Sequence, residues 1–565
     1  MDKKWWKEAV FYQIYPRSFY DSNGDGVGDL AGITKKIPYL KELGVTAVWI
    51  CPFFKSPMKD NGYDISDYYD VNPEFGTIED ADELIRCANE NGIKIIMDMV
   101  INHTSDQHRW FQEACRDRHS KYRNYYIFKD SIDGLADLRS NFGGSTWTQI
   151  KDGSWYFHSF AKEQPDLNWE CAEMRQELYD MMNWWLDKGV AGFRMDAITF
   201  IKKDLSFPPM PSDGEDGRCD VGKCCLNRPG IDDFLRELKE NTYGRGDFVT
   251  VAETPGVPNE DLERYIGRDG HFSMIFDFSY TDIDINPGDL WLHQRDWTIE
   301  EFKDKLFTNQ RLVKKIGWAA NYLENHDQPR SIGKYFPAGD IPAYRTQMAK
   351  ALGALFFFLK GTPFVYQGQE LGMINTHFDN IDELDDINSK GQFARCLDAG
   401  YSEAEAMESV NIRSRDQSRL PMQWNSDKNF GFSEHEPWLA CNNKCDRQTV
   451  EIESTDKDSV LNFYKAMIQL RNHSEYTQTL IYGDLEDVKT DSTGIIVYRR
   501  KPVQDECACG ASANTDSADK SVYVAVNMTG EDVSYAIPEN ADVLMGNYAD
   551  YDGTLRPYET VVYAV

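Results

Sequence analysis

The chain has 565 residues, with 61 Lys and Arg against 93 Asp and Glu, so its formal net charge is −32. This charge argues against nucleic acid and anionic membrane surfaces as partners, because both are densely negative themselves. Hydrophobic residues make up 41% and aromatic residues 13%, which excludes disorder over most of the chain and is compatible with a small neutral ligand.

Eight short, β-rich apolar runs follow one another along the chain, with helical patterns between most of them. They lie at 10–15, 45–50, 93–100, 192–196, 248–253, 274–278, 319–323 and 363–367. Continuous apolar strands that alternate with helices indicate a parallel sheet covered on both faces. Eight such units predict an α/β fold, a (β/α)8 TIM barrel with insertions.

Two departures from this alternation divide the chain. The irregular stretch 104–174, rich in Tyr, Trp, Asn, Asp and Gly, predicts a small subdomain inserted after the third strand. Short alternating runs over 482–565 predict a C-terminal all-β sandwich domain, interrupted at 502–520 by a segment expected to be disordered. The barrel would then comprise 1–103 and 175–481.

The sequence also suggests where the protein works. The longest apolar run, 351–359, is too short to span a bilayer. The N-terminus has no apolar signal-peptide region, so we expect a cytoplasmic location. The 12 cysteines form no C-x-x-C pair and are expected to be reduced thiols. A monomer is expected.

Acidic residues stand at the ends of several predicted strands. Asp98 lies in the third strand, Asp196 ends the fourth, Glu253 ends the fifth and Asp327 follows the seventh. The C-terminal strand ends of a TIM barrel face one site, so the three acids of the fourth, fifth and seventh strands would converge although like charges repel. Carboxylate pairs of this kind cleave glycosidic bonds, one as a nucleophile and the other as a proton donor.

The neighbouring residues suggest which acid takes which role. Arg194 lies two positions before Asp196 and therefore points to the same side of the strand, where its charge should keep Asp196 ionised. Glu253 follows apolar residues, which should raise its pKa and favour the protonated form. Asp196 is therefore the predicted nucleophile and Glu253 the predicted acid.

Four blocks, in this order and spacing, resemble the signature regions of the alpha-amylase superfamily, glycoside hydrolase family 13. They are DMVINH (98–103), GFRMD (192–196), VAE (251–253) and ENHD (324–327). QPDLNW (164–169) is similar to the marker of the oligo-1,6-glucosidase and alpha-glucosidase branch. The resemblance covers nearly the whole chain and implies a retaining, exo-acting α-glucosidase that acts on short oligosaccharides.

The resemblance also implies a role for each matching residue. Asp196 would be the nucleophile, Glu253 the general acid/base, and Asp327 a third acid that stabilises the transition state. A clamp on the terminal glucose would close the far end of the pocket. The implied sugar-binding residues, including this clamp, are Asp60, Tyr63, His103, Arg194, His326 and Arg415.

The segment 21–29 offers oxygen atoms at alternate positions, as in the first part of a calcium loop, and its glycines permit a sharp turn. The resemblance implies a structural Ca2+ or Mg2+ here and no organic cofactor. A hydrated turn without an ion is the alternative. The implied ligands are Asp21, Asn23, Asp25, the Val27 carbonyl and Asp29.

Linkage preference is less clearly marked. Ala197 replaces the valine that accompanies α-1,6 preference in this family, whereas 253–257 looks like the 1,6-acting enzymes. We expect α-1,6 bonds of the isomaltose type to be preferred, with some activity on α-1,4 bonds or sucrose. The alternative is a sucrose isomerase or transglucosylase on the same scaffold. A non-enzymatic transporter subunit is disfavoured, because it would need a membrane anchor and would not need the three acids that this sequence keeps.

Overall fold

The eight apolar runs of the sequence form the eight parallel strands of a closed barrel, in which each strand lies beside the barrel strands that precede and follow it in the chain. The computed structural model describes residues 3–214, 216–286, 288–443, 447–502 and 520–565. Almost all of the segment 502–520, predicted to be disordered, lies outside the described residues. The predicted TIM barrel is confirmed.

The strands are short, and those of the barrel are almost wholly buried, as their apolar sequences predict. In chain order the strands are β1 (Phe11–Ile14), β2 (Ala47–Ile50), β3 (Phe54–Lys55), β4 (Asp67–Val71), β5 (Lys94–Val100), β6 (Phe128–Lys129), β7 (Leu138–Arg139), β8 (Trp147–Gln149), β9 (Trp155–Phe157), β10 (Gly192–Asp196), β11 (Cys219–Asp220), β12 (Val249–Glu253), β13 (Met274–Phe276), β14 (Ala319–Asn321), β15 (Thr362–Tyr366), β16 (Asp484–Asp487), β17 (Ile495–Lys501), β18 (Val522–Asn527), β19 (Val533–Ser534), β20 (Asp542–Gly546), β21 (Thr554–Leu555) and β22 (Thr560–Ala564).

Helices cover the outside of the barrel and form a hairpin after its last strand. They are α1 (Trp5–Glu8), α2 (Leu30–Leu43), α3 (Ile78–Glu90), α4 (Arg109–Arg116), α5 (Ala172–Asp187), α6 (Gly222–Cys225), α7 (Ile231–Asn241), α8 (Leu262–Ile266), α9 (Ile299–Ile316), α10 (Ser331–Tyr335), α11 (Ile341–Phe357), α12 (Ile387–Asp398), α13 (Glu403–Arg413), α14 (Val450–Thr455), α15 (Val460–His473) and α16 (Thr477–Tyr482). Within the described ranges, no helix is both long and apolar enough to cross a membrane.

Close packing between β10 and β12 depends on the glycine that begins β10. Gly192 has a φ of +148°, and a Cβ atom there would lie 1.8 Å from the carbonyl oxygen of Val249. A side chain at this position would therefore push the two strands apart. This contact matters for function because β10 ends in Asp196 and β12 ends in Glu253.

A small subdomain lies between β5 and β10, where the sequence predicted an insertion. Its antiparallel sheet has the order β6-β9-β8. A further pair joins β7 of this subdomain to β11, which belongs to the segment after β10. Their side chains share a separate apolar core with Trp147, Phe157 and Phe207. Two stretches of the chain thus build this layer, not one.

The C-terminal residues form a five-stranded antiparallel sheet, β16-β17-β18-β22-β20, and a two-stranded sheet, β19-β21. One face of the larger sheet joins the core that includes α11, and its other face packs against the smaller sheet. The two-sheet domain predicted for this part of the chain is present.

A buried arginine anchors this domain to the barrel. Arg500 of β17 is fully buried, and its guanidinium donates to the carbonyl oxygens of Phe358, Leu480 and Gly483 at 2.8, 2.6 and 2.7 Å. These carbonyls lie at or just past the C-terminal ends of α11 and α16, where the helix dipole favours a cation. Burial lowers the pKa of Arg500 to about 10, so it stays charged at neutral pH.

Replacing this anchor should loosen the domain contact. We expect Arg500→Met to lower the free energy of unfolding by roughly 2–4 kcal/mol, because several buried carbonyls lose their donors. Urea unfolding followed by circular dichroism measures the change. Arg499→Met is the control, since Arg499 pairs with Glu486 and is 35% exposed. Equal losses in the two variants would contradict the anchoring role.

Candidate active site

The acidic side chains predicted at the strand ends meet at one mouth of the barrel. The register of β10 places Arg194 opposite Asp98 of β5 on one side and opposite Val251 of β12 on the other. Residues in register on neighbouring parallel strands face the same way, and every second residue shares that face. Asp98, Arg194, Asp196 and Glu253 therefore all face the inside of the barrel.

Arg194 joins these carboxylates through one guanidinium group. Its Nη1 lies 2.8 Å from Asp98 Oδ1 and 2.6 Å from Asp196 Oδ1, while its Nη2 lies 2.9 Å from Glu253 Oε1. The Arg194 side chain is only 2% exposed. The proposed nucleophile and proton donor thus bond to the same buried cation.

Burial raises the pKa of both Asp196 and Glu253 to about 7, because the charged forms lose hydration. Arg194 lowers both pKa values, but it is shared among three carboxylates and does not offset the burial. Arg194 thus acts on Asp196 in the predicted direction, but burial opposes it, and the pKa of Glu253 is raised in the direction that the sequence predicts. Near neutral pH the pair is suited to hold one proton.

Asp327, the third acid, lies just after β14 among basic and polar groups. Its Oδ1 is 3.2 Å from Arg419 and 3.3 Å from Arg415, and its Oδ2 is 3.0 Å from His326 Nε2. Burial alone would raise the pKa of Asp327, but these neighbours outweigh it and hold the pKa well below its usual range. Burial also lowers the pKa of His326 to about 4.

A second group of residues forms a buried network around Asp60. Arg415 Nη2 lies 2.8 Å from Asp60 Oδ1, and the Gln164 amide donates to Asp60 Oδ2 at 3.0 Å. His103 Nε2 lies 3.1 Å from the carbonyl oxygen of Tyr63, and burial lowers the pKa of His103. Gln164 Nε2 also lies 3.2 Å from His103 Nε2, which places Asp60, His103 and Arg415 in one buried network.

Tyr63 links this network to the acids. Its hydroxyl donates to Asp98 Oδ2 at 2.8 Å and lies 2.5 Å from His326 Nε2. Its ring stacks on the His326 ring with centroids 5.3 Å apart. All nine predicted catalytic and sugar-contacting residues are therefore connected in one cluster around the barrel mouth.

The model of the alpha-amylase family, described as "Alpha amylase, catalytic domain", matches residues 13–483 of this sequence. The chain belongs to the alpha-amylase family. Among curated relatives, "Probable oligo-1,6-glucosidase 3" of Bacillus subtilis (strain 168) is 42% identical over 580 residues, with 100% of each chain covered.

Solved structures of alpha-amylase type also cover the whole chain. An isomaltulose synthase from Klebsiella sp. LX3 superposes with a TM-score of 0.90 at 37% identity, and a Bacillus licheniformis trehalose-6-phosphate hydrolase with 0.88 at 36% identity. Each comparison covers 100% of both chains. The similarity therefore extends over the whole chain. The names of these three relatives describe different enzymatic activities.

In this alpha-amylase family member, the residue after Asp196 is held in an unusual backbone conformation. Ala197 has φ 42° and ψ 33°, in the left-handed region, which costs a non-glycine residue about 1 kcal/mol or more. Its N–H donates to Glu253 Oε2 at 2.8 Å. The strained turn thus aims a backbone donor at the second catalytic carboxyl group.

Four residues that sequence reasoning did not place in the site hold it together: Asp98, Gln164, Asp386 and Arg419. Asp98 and Gln164 stand inside the family blocks, so the signal for them was present. Arg419 donates to the His326 carbonyl at 2.9 Å and lies near Asp327. Asp386 bonds Arg415 at 2.6 Å, and no motif marks it.

The segment 21–29 forms a tight turn stabilised by its own side chains. Asp21 Oδ1 accepts from the N–H groups of Asn23 and Gly24, and Oδ2 accepts from Gly26. Asp29 accepts from Ser22 and caps α2. Across the part of the chain that the structure describes, no three His, Cys, Asp or Glu side chains group as a metal site. The predicted ion at this turn stays a prediction.

The raised pKa of Glu253 predicts how the protein's stability depends on pH. Its pKa rises from 4.5 to about 7 on folding, so its stabilising contribution is complete below about pH 4 and is lost as the pH rises through 7. Glu253→Gln removes the buried charge. It should therefore be more stable than the wild type at pH 8, by on the order of 1–3 kcal/mol.

Thermal unfolding at pH 5 and pH 8 measures this difference. The gain should be larger at pH 8 than at pH 5. Glu260→Gln, at an exposed position, is the control and should change little at either pH. A Glu253→Gln variant less stable than the wild type at pH 8 would contradict the raised pKa of Glu253.

Proposed function

We propose that this chain is a retaining, exo-acting α-glucosidase that hydrolyses terminal non-reducing α-glucosidic bonds of short oligosaccharides, with α-1,6 bonds preferred. The observation that carries the proposal is the bonding of Asp196 and Glu253 to one buried guanidinium, that of Arg194. Full-length similarity to an oligo-1,6-glucosidase supports the linkage preference. The convergence of all the acids disfavours a non-enzymatic transporter subunit.

The reaction would proceed in two displacements. Asp196 attacks the anomeric carbon while Glu253 gives its proton to the glycosidic oxygen, so the bond to the leaving sugar breaks as a glucosyl ester on Asp196 forms. Water then attacks the same carbon, Glu253 accepts the water's proton, and glucose leaves Asp196. This mechanism expects about 5–5.5 Å between the carboxyl groups.

The buried network around Asp60 supports exo action. Asp60 is held by Arg415 and Gln164, and in the proposed binding mode it would contact the terminal sugar and block a longer chain from continuing past it. Carboxylate and guanidinium groups are well placed to bond sugar hydroxyls there. A substrate would therefore enter with its non-reducing end first and lose one glucose unit.

The names of two solved relatives suggest other reactions that the same catalytic residues could perform. A sucrose isomerase would use the same Asp196 and Glu253 but exclude water, and the similarity to an isomaltulose synthase keeps this as a second candidate. A phosphorylated sugar is less favoured, because the guanidiniums of the pocket already pair with carboxylates.

Initial rates on a panel of substrates test the proposal. Isomaltose should be cleaved faster than maltose, sucrose or trehalose 6-phosphate, and sucrose should yield glucose and fructose. Asp196→Asn should lower kcat by at least about 10^4-fold, since the nucleophile is lost. Isomaltulose or trehalulose as the main product from sucrose would favour the isomerase instead. Normal activity of Asp196→Asn would refute the mechanism.

We also propose that the turn at 21–29 binds a structural Ca2+ or Mg2+, since its predicted ligands are all oxygen atoms. Calcium added to chelator-treated protein should then raise the melting temperature. At a calcium concentration 100 times Kd, the free energy of unfolding should rise by about 2.7 kcal/mol. Asp25→Ala should abolish this rise without changing the active site. A melting temperature that changes neither with chelator nor with added calcium would contradict the proposal that this turn binds an ion.

The nine described cysteines are free thiols, as expected in a reducing compartment. This supports the cytoplasmic location that we propose. A monomeric state is the accompanying proposal, and light scattering of the purified protein tests it.

A further inference from the structure

Asp386 is a fully buried carboxylate immediately before the helical hairpin α12–α13. Its side chain is 0% exposed. It lies outside the family blocks recognised in the sequence, and the two displacements described above do not use it. Its position next to Arg415 nevertheless connects it to the far end of the sugar pocket.

Arg415 is held by three carboxylates, and Asp386 provides the closest contact. The Nε and Nη2 atoms of Arg415 lie 2.8 and 2.6 Å from Asp386 Oδ1, and Nη2 also lies 2.8 Å from Asp60 Oδ1. The third partner, Asp327, is 3.3 Å from Nη1. Among these contacts only Asp386 engages Nε, so it fixes the direction in which the planar guanidinium faces.

The same carboxylate begins helix α12. Its Oδ1 accepts from the Asn388 N–H at 3.0 Å, and its Oδ2 accepts from the N–H and the hydroxyl of Ser389 at 3.1 and 2.6 Å. These are N-cap contacts. Asp386 therefore ties the sugar-facing Arg415 to the start of a helix.

Helix α12 in turn packs against two loops around the mouth. A Cβ atom at Gly391 would lie 2.6 Å from the carbonyl oxygen of Phe142 in the inserted subdomain. Arg395 donates to the Gly288 carbonyl at 2.8 Å, after β13. The Phe142 ring lies 5.3 Å from the Arg415 guanidinium. Helix α12 thus packs between the inserted subdomain and the loop that follows β13.

We propose that Asp386 is a positioning residue that orients Arg415 toward the terminal sugar and couples this orientation to the seating of α12 over the mouth. The proposal rests on the proposed glucosidase function. Without Asp386, the buried Nε of Arg415 loses its acceptor, and the guanidinium can rotate toward Asp327 and away from Asp60. Binding of the terminal sugar should weaken as a result.

A purely structural role, capping α12, is the competing explanation, and Asp386→Ser separates the two. Serine is a good N-cap residue, but it is shorter and uncharged and does not restore the ion pair with Arg415. Ser402→Ala is the matched control. Ser402 caps α13 of the same hairpin by accepting from Glu405 N–H.

The experiment measures kcat and KM on p-nitrophenyl α-glucoside for the wild type, Asp386→Ser, Arg415→Lys and the double variant. We expect Asp386→Ser to lower kcat/KM about 10- to 100-fold, in the range expected for a charge-assisted contact. The double variant should lose little beyond Arg415→Lys alone, because both changes remove one interaction. Ser402→Ala should keep kcat/KM within about twofold.

Glucose affinity, measured by calorimetry, provides a readout that does not depend on hydrolysis. Asp386→Ser should bind glucose at least about 10-fold more weakly than the wild type. Asp386→Asn replaces it if the serine variant fails to fold. The inference would be overturned if the losses in kcat/KM of Asp386→Ser and Arg415→Lys added up in the double variant. It would also be overturned if the Asp386 variant kept kcat/KM and glucose affinity as close to the wild type as Ser402→Ala does. A wild type that binds glucose but cleaves no α-glucoside would instead overturn the proposed function.

Discussion

The structure depends on one buried ion cluster, in which the Arg194 guanidinium faces Asp98, Asp196 and Glu253. A buried arginine without partners would be strongly destabilising, and one carboxylate would suffice to pair it. Three carboxylates around one cation leave the cluster with an excess of negative charge when all are ionised. Burial and the neighbouring carboxylates outweigh Arg194, and they raise the pKa of Asp98 to about 6 and those of the other two to about 7.

At the other end of the site, neighbouring cations lower the pKa values of buried carboxyl groups. Arg415 and Arg419 supply two cations to Asp60, Asp327 and Asp386. Burial alone would raise the pKa of Asp386, but the two guanidiniums lower it to about 2. Around Arg194 the carboxyl groups therefore favour the protonated form, whereas Asp327 and Asp386 at the other end stay charged. A sugar bound between them meets a proton donor near the bond to be cleaved and fixed charges around its hydroxyl groups.

Much of this architecture could be predicted because it is local in the sequence. The barrel strands are continuous apolar runs, and Asp196, Glu253 and Asp327 stand at strand ends inside recognisable blocks. The pKa of Asp196 could not be predicted, because it depends on how many carboxylates share Arg194. Asp386 was missed for a similar reason, since its partner, Arg415, is 29 residues away along the chain. The β7-β11 pair has only two residues per strand, too few for a periodic pattern.

That small β7-β11 pair has a consequence for how such enzymes can diversify. It joins the inserted layer to the chain segment that runs on from the nucleophile. A chimera that exchanges the inserted subdomain between homologues would leave β11 without its partner strand β7. Both stretches of chain would therefore have to be exchanged together. Recombination within this scaffold is therefore expected to preserve the two stretches as a single inherited block.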